Sequence, residues 1–133
     1  MMPLMLDTSA YVAFKRGHPD AVRAIQQASK ILIPIIVLGE LLAGFEGGSR
    51  TQKNRAELDS FQKSPRVRIV PITLETAERY AHIYAHLKAN GRPIPTNDLW
   101  IAASTMEYSA ELLTGDAHCL NVSQILVTYV ASS

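Results

Sequence analysis

The stretch LMLDTSAYVAF (residues 4–14) changes character at a single residue. An apolar run ends on Asp7, Thr8 and Ser9 turn the chain, and Tyr11, Val12 and Phe14 follow at helical spacing. Three apolar residues are too few for a helix and enough for a short buried strand. The same figure returns downstream: ILI (31–33) runs through Pro34 into the apolar stretch IIVLGELLAGF (35–45), which Gly47 and Gly48 close. A strand that hands over to a helix, twice, without an Asn-Gly hairpin, predicts parallel strands joined by helical crossovers.

The rest of the chain extends this pattern. Pro19 and Asp20 open a helix with Ala21, Ile25 and Ala28 on one face. The helix at 35–45 reads as largely buried. Residues 49–63 are polar and read as a solvent-facing helix anchored by Leu58 and Phe61. Val67, Ile69 and Val70 form a third strand. Thr73 caps the longest helix, in which Tyr80, Ile83, Tyr84 and Leu87 fall on one face and Gly91 ends the run. A Pro-bounded loop, IPT, enters a helix at 98–108, with Thr96 or Asn97 expected as its N-cap and Asp98 in its first turn. Strands at 112–114 and 125–130 complete the chain. The expectation is one α/β domain over residues 1–133, a parallel sheet with helices on both faces.

Bulk composition narrows the function. The chain is 47% hydrophobic and 19% charged with a net charge of +1, so no strong overall field points to nucleic acid or an anionic membrane. The charge is uneven, because Arg50, Lys53, Arg55, Lys63, Arg66 and Arg68 face only Glu57 and Asp59 in their segment. One cysteine, Cys119, excludes an internal disulfide framework and fits a reducing compartment. The N-terminus lacks the features of a signal peptide, and no apolar run approaches the ~18 residues of a membrane span. A cytoplasmic protein with no membrane partner is expected.

Four acids stand in otherwise apolar surroundings. Asp7 alone is explained as an N-cap, Asp116 as Gly-Asp turn chemistry, and Asp98 as a first-turn acid favoured by the helix dipole. Glu40 lies in VLGELLAG, mid-helix, where an acid needs an edge, a cation or a proton. Together they say more. Ligands of open parallel sheets bind outside the carboxyl ends of the strands. Asp7 and Asp116 belong at two such ends, and Asp98 and Glu40 reach the same crevice. Carboxylates converging there raise one another's pKa unless a cation compensates, and oxygen ligands suit Mg²⁺ or Mn²⁺ better than Zn²⁺. Such an ion serves phosphoryl chemistry.

LDTSAY, PIIVLGELLAG, IPTNDLWIAA and LLTGDAHC, in this order and spacing, resemble the PIN-domain ribonucleases, and among them the single-domain VapC-type toxins of toxin–antitoxin pairs. The resemblance spans nearly the whole chain. It implies a PIN-like α/β/α sandwich with a central parallel sheet, and hydrolysis of single-stranded RNA by water activated with Mg²⁺, for which Mn²⁺ would substitute. It also implies a homodimer and a cognate antitoxin protein as partner. The metal cluster maps onto Asp7, Glu40, Asp98 and Asp116, with Asp7 and Asp98 as its most dependable ligands. Thr114 would orient a ligand or water, with Thr8 or Ser9 in a similar role. Cys119 departs from the family, in which many members carry Phe at this packing position.

Other signals have plainer readings. His82 and His86 are four apart on a helix, but a zincin would need Glu where Ile83 stands, and the pair lies opposite the apolar stripe. His118 beside Asp116 reads as a structural or exposed loop residue, with a general base as the sharper alternative. The basic segment 50–68 reads as a solvated helix face, or as phosphate-attracting surface if the domain cuts RNA. Trp100 and the tyrosines suit core or interface better than base stacking. Residues 35–45 with Tyr11 and Phe14 could form core, antitoxin surface or dimer surface. Two rival functions remain: a PIN-like RNA-binding or scaffold domain that does not cut, and a haloacid-dehalogenase-type phosphatase with Asp7 as nucleophile. The second is weakened by Ser9, where that pattern requires a second Asp.

Overall fold

A computed structural model describes residues 1–131. β1 (Leu4–Leu6) leads through α1 (Thr8–Lys15) and α2 (Pro19–Gln27) to β2 (Ile31–Pro34). From there α3 (Ile35–Glu46) and α4 (Thr51–Gln62) lead to β3 (Val67–Val70). The long pair α5 (Leu74–Ala89) and α6 (Thr96–Glu107) precedes β4 (Glu111–Thr114), a 3₁₀ turn (Ala117–Asn121) and β5 (Leu126–Tyr129). The five strands form one wholly parallel sheet in the order β3-β2-β1-β4-β5. The α/β class is as expected, and the strands and helices fall where the switches of period place them.

Strand alternation sorts the core into layers. Met5 and Leu112 join Val37, Leu41, Leu58 and Ile101 on one face, whereas Leu4, Leu6 and Leu113 join Ala10, Ala21 and Ile25 on the other. A third cluster ties α5 to α6 through Ile83, Leu87, Leu99 and Ala102. Trp100 lies against Tyr80 at 4.2 Å between ring centroids. At the far end of α6, Glu107 accepts from the Thr76 hydroxyl at 2.6 Å and from that of Thr73 at 3.3 Å. Thr73 and Thr76 also close a reciprocal cap on the first turn of α5.

Three expectations are corrected. α3 is not largely buried: Val37 and Leu41 are, but Ile35 is 43% exposed, and Ala43 and Gly44 are open to solvent. One stripe of this mostly apolar helix meets the sheet, and composition alone could not say which. Second, α6 begins at Thr96 with Pro95 as its N-cap, and neither Thr96 nor Asn97 provides a side-chain cap. Pro95 has extended geometry and cannot be a helix interior residue, so the helix starts directly after it. Third, Tyr84 of the expected stripe is 48% exposed, with Lys88 over its ring.

The strand order places the site. The chain steps outward from β1 to β2 and β3, then returns to the other side of β1 with β4 and β5. Connections therefore leave in opposite directions from the adjacent carboxyl ends of β1 and β4, which opens a crevice between them. Among the described residues no helix is long and apolar enough to cross a membrane.

Candidate active site

Asp7 is the residue after β1 and the N-cap of α1, and it is buried. One carboxylate oxygen accepts from the Ala10 amide at 2.8 Å and from Ser9 Oγ at 2.8 Å, and the other accepts from Thr114 Oγ1. Ser9 Oγ in turn accepts from the Gly115 amide at 2.8 Å. Thr114 Oγ1 accepts from the Asp116 amide at 2.9 Å. These bonds splice the end of β1 to the end of β4. The packing is tight here, since a Cβ on Gly115 would lie 3.3 Å from Ser9 Oγ.

Asp98 reaches the same edge from the first turn of α6, and Asp116 from the start of the 3₁₀ turn. Among the described residues, Asp98 Oδ2 is buried without a hydrogen-bond partner. Burial, with Asp116 and then Asp7 beside it, pushes the Asp98 carboxyl up to about 7. Burial also raises Asp7, against the lowering effect of its bonds from Thr114, Ala10 and Ser9. His118 is exposed, and its Nδ1 lies 3.0 Å from Asp116 Oδ1. Ligating atoms of Asp98, Asp116 and His118 all fall within 4.8 Å of one another.

Glu40 enters from α3 and is held from two sides. Its Oε1 accepts from Thr8 Oγ1 at 2.5 Å and its Oε2 from Asn97 Nδ2 at 3.1 Å. It lines the same cavity of about 630 Å³ as Asp7, Asp98 and Asp116, but lies outside the compact group around Asp98. The four acids thus share one cavity at the switch point, and Thr114 is the buried pivot beneath Asp7. Cys119 is buried just behind, and its thiol is pushed up to about 12 by burial and the nearby carboxylates.

Sequence reasoning did not foresee three participants, Asn97, Arg16 and His18, and it read His118 as structural or exposed with a general base as the alternative. Asn97 looked like a cap and instead positions Glu40, a contact 57 residues apart in the chain that no local pattern reveals. His118 lies at ligating distance from two acids. Arg16 and His18 line the cavity rim, where Gly17 with φ +79° turns α1 into α2, and His18 Nε2 reaches the Ala131 carbonyl at 2.9 Å. The turn could have been read from the glycine, but not its place beside the acids.

An orphaned, buried carboxylate oxygen facing a second acid fits a cation. The other donors are oxygens plus one imidazole, a set that suits a hard or borderline divalent ion. His82 and His86 are exposed on α5, away from this edge, as their place opposite the apolar stripe implied.

The PIN domain family model matches residues 4–124. The chain is 31% identical over 105 residues to ribonuclease VapC2 of Haemophilus influenzae, covering 77% of this chain and 78% of that protein. It is 27% identical over 118 residues to ribonuclease VapC5 of Mycobacterium tuberculosis, covering 84% and 82%. Its fold is similar to that in the crystal structure of VapBC2 from Rickettsia felis bound to a promoter DNA fragment. That match has a TM-score of 0.85 at 26% identity and covers 96% of this chain and 98% of the other. Strand order, the acid-lined switch point and these likenesses agree: the chain belongs to the PIN domain family, among its VapC members.

Proposed function

We propose that the chain is a Mg²⁺-dependent endoribonuclease, Mn²⁺ substituting, and the toxin of a toxin–antitoxin pair acting in the cytoplasm. The relatives named ribonuclease VapC and the VapBC assemblies support the nuclease and its pairing with an antitoxin. The observation that carries the metal-dependent reading is Asp98 Oδ2, buried and unpartnered in a cavity it shares with three further acids. Residues 1–133 are read as a single PIN domain, working as a homodimer.

Asp98 and Asp116 would hold the cation, with Asp7 beside them and His118 at the rim. A bound divalent ion supplies charge neutralisation at a phosphoryl oxygen and acidifies water. The residues of the chain do the rest. Ser9, Ala10 and Thr114 fix the direction of Asp7, so its charge does not swing away when RNA enters. Thr8 and Asn97 hold Glu40 across the cavity, where its carboxylate can orient water and accept the proton that the attacking water releases.

The test is cleavage of a mixed tRNA and total-RNA pool by wild type and Asp98→Asn, with Mg²⁺, with Mn²⁺ and with chelator. Discrete fragments that require both the metal and Asp98 are expected. Undiminished cleavage by Asp98→Asn, or cleavage in chelator, would refute the assignment.

A further inference from the structure

A second concavity, of about 400 Å³, lies beside the acidic cavity, and Val12 and Arg16 line both. Its walls come from α1, the end of α3 and the first half of α4, and it contains Lys15, Arg16, Arg50 and Lys53 against one acid, Glu57. Lys15 pairs with Glu57 at 3.2 Å. Arg16, Arg50 and Lys53 are exposed and form no ion pair or side-chain hydrogen bond among the described residues. Other cations of the same basic segment are engaged. Arg55 faces Glu46 at 3.9 Å, Lys63 pairs with Asp59 at 3.0 Å, and Arg66 donates to the Ile25 and Ala28 carbonyls at 2.9 and 2.5 Å. Within the basic segment, then, Arg55, Lys63 and Arg66 are held by the protein, Arg68 is exposed outside the groove, and Arg50 and Lys53 are left open inside it, where Arg16 from the end of α1 joins them.

We infer that Arg16, Arg50 and Lys53 form a phosphate track, which holds the RNA backbone flanking the phosphate to be cut. This rests on the ribonuclease reading and adds where the strand lies. A polyanion whose central phosphate must enter a cavity lined by four acids is repelled there, and needs compensating charge within one or two nucleotides. Arg16 stands on the boundary between the two concavities, where that compensation is first required. The other two cations continue the path away from the acids. Contacts of this kind track the backbone without reading bases. An acidic protein segment is the competing occupant, and would put its carboxylates beside acids with nothing to gain from reaching the cavity.

The experiment compares wild type with Arg16→Ala/Arg50→Ala/Lys53→Ala, and with the charge-matched control Lys30→Ala/Lys63→Ala/Lys88→Ala. Each is first checked for an unchanged melting temperature. Affinity for a fluorescent 12-nucleotide single-stranded RNA is measured in Ca²⁺ across a salt series. Binding of a Glu-rich 12-residue peptide and the KM and kcat for RNA cleavage in Mg²⁺ are measured alongside. The track predicts RNA binding and KM weakened about tenfold or more, kcat nearly unchanged, and a salt slope shallower by roughly two, since each phosphate contact on a single strand contributes about 0.7. The control should match wild type. If the triple variant cleaves with unchanged KM and salt slope, the track is wrong and the ribonuclease reading stands. Loss of peptide binding with RNA binding intact also overturns the track, and assigns the groove to an acidic protein. If wild type neither binds nor cleaves RNA, both readings fall.

Discussion

Helix α6 carries an acid near each end, and the two are treated in opposite ways. Glu107, in its last turn, faces α5 and receives the hydroxyls of Thr76 and Thr73. Asp98, in the first turn, is thrust into a cavity with Asp116 and Asp7, and one of its oxygens has no donor among the described residues. Both acids are partly buried on the same helix, so burial alone does not distinguish them. What distinguishes them is donor supply. The fold satisfies an acid that fastens two helices and leaves Asp98 without a donor, which is the condition the proposed cation site requires.

The largest effect expected from disturbing this contrast is on turnover. Asp98→Asn should lower RNA cleavage by at least about a hundredfold, through loss of the electrostatic role at the reacting phosphate. The same variant should melt several degrees higher than wild type in chelator, because it removes a repelled, desolvated carboxylate. A lower melting temperature in chelator would mean that Asp98 is a structural acid like Glu107. The converse substitution, Glu107→Ala, leaves the fully buried Thr76 hydroxyl without its acceptor. It should cost roughly 1–3 kcal/mol in denaturant unfolding while leaving metal-dependent cleavage intact.

The contrast also has a pH signature. Asp98 titrates near 7 in the folded chain and near 3.8 unfolded, so between these values the native state binds more protons. Stability contributed by the protonated form is therefore full below about 4, and is lost as pH rises toward 7. Asp7, also raised, acts in the same sense. With the Asp98 carboxyl only half-buried and partly screened, the loss should be about 2 kcal/mol by chelator-treated melting. It should shrink in Asp98→Asn, and affinity for Mn²⁺ should rise over the same window as the ligands deprotonate. Metal affinity independent of pH would break the link between the raised carboxyl and the cation.

Smaller effects concern the supports. Gly115→Ala presses a methyl group against Ser9 Oγ, which cannot yield without losing its bond to Asp7 or to the 115 amide. A stability cost near ~1 kcal/mol and a several-fold loss of kcat are expected. Asn97→Ala frees one oxygen of Glu40 and should lower kcat two- to fivefold, with Tm unmoved. A Tm loss without a change in kcat would make Asn97 a fold residue only.

Much of the architecture is legible because the sequence changes period abruptly. Asp7, Pro34, Thr73 and Pro95 each stand where a strand or loop becomes helix, and each does so in the structure. The acids are legible for a different reason, since Glu40 among leucines needs an explanation wherever it occurs. What could not be read is pairing at long range. Nothing local says that Asn97 gives its amide to Glu40 rather than to the backbone of its own helix, or that His118 joins Asp98 while Glu40 stands across the cavity. The open side of α3 was hidden for a related reason. A helix with apolar residues on most of its faces does not declare which stripe the sheet will take.

Cys119 gives the molecule a built-in clock. Its sulfur is shut behind the acids, and its thiolate is disfavoured until the surrounding segment comes apart. A thiol reagent in excess therefore reacts at a pace set by how often this edge opens, and the chain has no other sulfhydryl to confuse the reading. Slower labelling when Mn²⁺ is added would measure, in seconds and at a single atom, how firmly an ion closes the carboxyl end of the sheet.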